Sequence, residues 1–174
     1  MSLRGAIPLN HMKKSSLVFL RAIIVILSIG TFALMLRFPL TEGRAVHLDL
    51  FSIYSDPFII YGYMASIPFF MALYQAFKLL GLIGQNRIFS LNSVKALRTI
   101  KYCAIMQSVF IVAAAIYIRV SFSVRPVSDD DPAGFLAISI VTTFISIVIG
   151  TTAVIFEKIL QNAVDIKSEN DLTV

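Results

Sequence analysis

Apolar residues fall in four long blocks separated by shorter polar stretches. The blocks run roughly from Leu17 to Leu36, Pro57 to Leu80, Ile100 to Ile118 and Ala133 to Phe156. A helix needs about 20 mainly apolar residues to cross a hydrocarbon layer about 30 Å thick. Each block meets that length, and a segment in lipid must satisfy its own backbone N–H and C=O groups, as a helix does. The pattern predicts an all-α integral membrane four-helix bundle, forming a single domain over residues 12–174. Residues 1–11, ahead of "MKKSS", read as a cloning remnant or an overextended start, and no function is expected of them. The first block is too long, and lacks the A-x-A-like site, for a cleaved signal peptide.

The polar stretch between the second and third blocks has a pattern of its own. Gly81 and Gly84 suit the end of a helix, since glycine takes the left-handed cap conformation cheaply. Ser90 or Asn92 can cap a new one. Val94, Leu97 and Ile100 then recur at helical spacing, with Lys95, Arg98 and Lys101 on another face. The spacing predicts a short basic amphipathic helix at the membrane surface, leading into the third span. Its plain role is an orienting anchor. Its sharper one is docking or lipid contact through Val94, Lys95, Leu97, Arg98 and Lys101, with anionic lipid attracting each such charge by about 1 kcal/mol.

Composition agrees with the blocks. The chain is 57% hydrophobic and 14% charged, against roughly 45–50% and about 25% in soluble domains. Its mean hydropathy is +0.84, and a chain this small cannot hide so much apolar surface in one soluble core. The net charge of +5 flanks the spans and reads as a topology signal rather than a nucleic-acid patch, so no direct nucleic-acid binding is expected. Lys13 and Lys14 precede the first span, and Arg87, Lys95, Arg98 and Lys101 lie between the second and third. The other two connections mix Arg37, Arg44, Arg119 and Arg125 with several acids. Positive-inside counting predicts a cell-membrane protein with both termini and the middle connection in the cytoplasm.

Four spans, the segment "FSLNSVKALRTIKY" after the second, and a terminal "ENDLTV" together resemble a bacterial family of small membrane proteins. It is the one catalogued as domain of unknown function twenty-nine seventy-five. The resemblance extends over nearly the whole chain from Met12. It implies pairing with a small helix-turn-helix regulator encoded nearby, and it brings no catalytic residues.

The residues themselves suggest little chemistry. The lone Cys103 excludes an internal disulfide and any multi-cysteine metal site. His11 and His47 have no ligand spacing, even with Glu42, Asp49 and Asp56 near the second. Asp129, Asp130 and Asp131 before Pro132 read as a helix start rather than a calcium loop. Arg21, Lys78 and Arg119 lie close enough to span ends to reach the interface, leaving no ionisable group at mid-span for transport. Gln75 and Gln107 are expected to bond across helices. Pro68 removes a bond to the Met64 carbonyl and predicts a kink. Thr142, Ser146 and Gly150 form a small-residue face for helix packing, within one bundle or in a homodimer. No nucleophile elbow, phosphate-binding glycine loop or dinucleotide fingerprint is present.

No catalytic, cofactor or metal site is therefore expected. The leading reading is an interaction or regulatory protein whose cytoplasmic face engages a partner, such as a small DNA-binding regulator. The alternative is a small transporter, or an immunity-type protein binding lipid or peptide, with the Pro68 kink lining its cavity.

Overall fold

The computed structural model describes residues 9–41, 54, 57–124 and 133–172. It contains four helices: α1 (Leu9–Thr41), α2 (Pro57–Gly84), α3 (Leu91–Val124) and α4 (Ala133–Leu172). All four are long and apolar enough to cross a membrane, and among the described residues there is no strand. Glu42, Val46, His47, Asp49, Asp56, Ser128, the Asp129–Asp131 run and Pro132 lie outside those residues.

The helices overrun the apolar blocks, and the excess is informative. α3 begins nine residues before Ile100, and α4 continues sixteen residues past Phe156. Hydropathy marks where a helix meets hydrocarbon; the backbone keeps its i→i−4 bonding for as long as the residues tolerate it. No break sets the basic segment apart as a helix of its own. Its residues are the first turns of α3, continuous with the span.

Among the described residues, substantial packing joins consecutive helices: α1 with α2, α2 with α3, and α3 with α4 most extensively. The array leaves large apolar side chains outward along its length, Ile26, Ile138 and Ile140 among them. In water that surface would be untenable; facing lipid tails it costs nothing. Hydroxyls follow the same logic. Ser28, Ser108, Ser139, Thr142, Ser146, Thr151 and Thr152 each donate to the carbonyl four residues earlier, at 2.7–3.0 Å. A polar group in hydrocarbon finds its acceptor on its own helix.

The turn between α2 and α3 departs from the sequence expectation. Neither Gly81 nor Gly84 is left-handed; Asn86 is, with φ of 56°. Arg87 N–H donates to the Leu82 carbonyl at 2.9 Å and Asn86 N–H to the Ile83 carbonyl at 3.1 Å. That pair of bonds is a Schellman stop with asparagine as the left-handed residue. The glycines serve a close approach instead. An Arg21 guanidinium nitrogen lies 3.2 Å from where a Gly81 Cβ would be and 3.8 Å from that of Gly84. The Arg21 guanidinium also covers the Phe77 ring at 5.5 Å. From its own position it thus reaches along α2 toward the turn.

Pro68 is buried inside α2, which continues through it. Nearby, Tyr61 Oη donates to the Phe110 carbonyl at 2.6 Å and stacks edge-on against that ring, tying α2 to α3.

Candidate functional site: the basic end of the bundle

The α2–α3 turn, the first turns of α3 and the last turns of α4 meet at one end of the array. Val94 and Leu97 are buried there against Leu160, with Leu79, Ile88 and Val164 around them. This corrects the expected amphipathic surface. The apolar face of the segment is covered by α4 of the same chain, so Val94 and Leu97 are core residues rather than a surface for lipid or a partner.

The basic residues divide into two sets. Lys101 turns inward: its Nζ donates to Glu157 Oε2 at 2.7 Å. Arg98 Nε donates to Oε1 of the same carboxylate, also at 2.7 Å. Glu157 is 12% exposed, Lys101 18% and Arg98 52%, so the carboxylate is the enclosed centre of the triad and Arg98 its solvent-facing arm. Lys95 remains exposed. With Leu91, Arg98 and Tyr102 it forms an outward stripe at helical spacing. The stripe is the part of the sequence-identified segment that α4 leaves exposed.

Above the triad the walls separate. Between the turn and the end of α4 lies a cleft of about 770 Å³, lined by Arg87, Phe89, Ser90, Asn92, Ile166 and Lys167 among others. Ser90 sits at the amino end of α3; its hydroxyl lies 3.2 Å from that of Ser93, and its carbonyl accepts the N–H groups of Ser93 and Val94.

Toward the middle of the bundle, α3 and α4 approach closely. A Cβ on Gly150 would stand 3.4 Å from the Ala104 Cβ. Ser146 and Ala153 are buried and Thr142 half-buried on the same face. At Gly150 this face thus meets α3 of the same chain. Gln107 does not make the expected cross-helix bond through its oxygen: Oε1 is buried with no hydrogen-bond partner among the described residues. Cys103 is buried. Beside the Pro68 turn, a cleft of about 340 Å³ is lined by Phe32, Met35, Leu36, Tyr63, Ser66 and Phe70, none of them charged. Among the described residues no group of three His, Cys, Asp or Glu is placed to hold a metal.

Glu157 is the site residue that sequence reasoning missed. Lys101 and Arg98 precede it by 56 and 59 residues, and only the antiparallel register of α3 and α4 brings them together. A carboxylate alone at the end of a long apolar block was the available signal.

Comparison with known proteins agrees with this architecture. The family model described as "Protein of unknown function (DUF2975)" matches residues 40–174. The chain is 40% identical over 165 residues to "Uncharacterized membrane protein YoaS" of Bacillus subtilis (strain 168), covering 94% of this chain and 100% of that protein. No solved structure matches.

Proposed function

Since the chain belongs to the DUF2975 family, and its four helices are fit to span a bilayer, we propose that it is a non-catalytic interaction protein of the cell membrane. Its cytoplasmic face holds a small regulatory partner of the helix-turn-helix kind that the family resemblance implies. One observation carries this reading. α4 runs on past its apolar block to Leu172, and Val94 and Leu97 clamp its extension to α3 through Leu160. A chain needing only an anchor has no use for a packed platform beyond its apolar blocks. The platform offers the stripe of Leu91, Lys95, Arg98 and Tyr102, apolar ends around cations, to whatever docks on it.

Orientation is tested first. In a Cys103→Ala background, cysteines at Asn92 and Ser168 should resist a membrane-impermeant thiol reagent in intact cells, while those at Val46 and Ser128 should be labelled. Asn92 is preferred to its neighbour Ser93, which is fully buried. Labelling at Asn92 but not Val46 would reverse the topology.

The docking role is then tested by capture from native membranes. The wild-type chain should retain a small DNA-binding protein, identified by mass spectrometry. Leu91→Ser with Lys95→Gln should reduce its recovery at least fivefold at equal membrane abundance. Undiminished recovery in that variant, or no such protein with the wild type, removes this function. Val94→Asp and Leu97→Asp are unsuitable, because each places a charge in the core.

A further inference from the structure

We propose that the cleft between the α2–α3 turn and the end of α4 binds the headgroup of an anionic phospholipid. The site is separate from the outward stripe on α3 and does not rest on the docking role.

Three features lead there. The first is charge. Arg87 and Lys167 both line the cleft, and among the described residues no Asp or Glu does. Neither cation has an ion-pair partner among the described residues; Glu157 pairs with Arg98 and Lys101 instead. Asp165, on the same stretch of α4, accepts the Gln161 amide at 2.9 Å and is not part of the lining. An arginine fork with a lysine point charge matches phosphate oxygens. Asn86, Ser90 and Asn92 add neutral polar groups in the same lining, suited to glycerol oxygens.

The second is its amphipathic lining. Leu82, Phe89, Ala163 and Ile166 line the cleft beside those polar groups, and Phe89 and Ile166 are 54% and 60% exposed. A soluble anion would leave them in water. The glycerol backbone and first acyl carbons of a lipid would cover them.

The third is depth. α2 has 28 residues, about 42 Å at 1.5 Å per residue, which is the thickness of a bilayer with its headgroup layers. The turn that follows therefore brings Arg87 to headgroup level. A cleft of this size falls within the usual range for a small-ligand site.

The test uses the full chain purified in a neutral detergent, with thermal unfolding and native mass spectrometry as readouts. Dioleoylphosphatidylglycerol should bind saturably and raise the unfolding temperature, whereas dioleoylphosphatidylcholine should do neither. Arg87→Gln with Lys167→Gln should weaken the phosphatidylglycerol complex at least tenfold. Lys78→Gln, which removes a cation from the same end of α2 outside the cleft, should leave it unchanged. Ala163→Phe keeps both charges and fills the space, so it should weaken binding by itself and covers the case where the double variant fails to fold. Inorganic phosphate and glycerol 3-phosphate, at millimolar concentration, should neither stabilise the protein nor displace the lipid. If they match the lipid, the ligand is a soluble phosphate compound and the lipid proposal is wrong. Equal weakening by Lys78→Gln, or none by the cleft variants, would mean diffuse attraction to the basic end and would also overturn it.

Discussion

Gly150→Leu should unfold this protein at a markedly lower temperature than any other single aliphatic exchange in α4. The ground is the α3–α4 contact. A Cβ alone at Gly150 would meet the Ala104 Cβ at 3.4 Å, so alanine fits with a shift of a few tenths of an ångström. The three further carbons of leucine have nowhere to go unless the helices separate. Overpacking of this kind costs about 1–3 kcal/mol. Here separation would also strain the Glu157 triad and the Leu160 cluster, which depend on the same register. Ile147→Leu, at a position 55% exposed, should change the midpoint by no more than the error of the scan. Exchanging the two sides of the contact, Gly150→Ala with Ala104→Gly, should restore most of what Gly150→Ala alone loses. Thermal unfolding in detergent or nanodiscs measures all four. If leucine is tolerated at 150 as well as at 147, the close contact does not stabilise the protein.

Glu157→Ala should come next in severity. Removing the shared acceptor leaves Lys101, 18% exposed, against the end of an apolar span with no counter-charge. Stripping one partner from a buried pair costs about 3–5 kcal/mol. Arg98 is half in water and its share is screened, so a loss of about 2 kcal/mol is expected for the glutamate as a whole. Glu157→Gln should be milder, since the amide oxygen still accepts one bond. The triple change Glu157→Gln, Arg98→Gln and Lys101→Gln should be more stable than Glu157→Ala, because an all-neutral cluster leaves no uncompensated charge. Matching unfolding midpoints for Glu157→Ala and the unaltered chain would show that the triad is ornamental.

Particular residues show what the sequence could and could not disclose. Four spans were legible because lipid imposes a long, coarse requirement on composition, and the four long apolar helices bear them out. The positions of Val94 and Leu97 as one apolar face were legible too; what covers that face was not. Helical periodicity shows that two residues share a side and is silent on which helix lies opposite. The same limit hid Glu157, whose cations are in another helix. At the α2–α3 turn, propensity favoured glycine for the left-handed residue. The chain uses Asn86, while Gly81 and Gly84 lie inside the helix beside Arg21. Propensity marks which residues can end a helix and not at which of them it ends. The cleft was invisible for a simpler reason: Arg87 and Lys167 are 80 positions apart, and the continuation of α4 beyond its apolar block is what places both in one lining.

The consecutive packing of the helices bears on how the molecule is made. Among the described residues each helix rests chiefly on the one translated just before it. Assembly can therefore proceed in the order of synthesis, every hairpin settling as its second arm enters the bilayer. Contacts between chain neighbours carry a small loop-closure cost and form early. The α3–α4 hairpin, the most extensive contact, is completed last. Until α4 arrives, Lys101 lacks the Glu157 carboxylate and Val94 is without Leu160 and Val164. The nascent chain thus carries an unfinished basic surface at the membrane, and the arrival of Glu157 marks its completion.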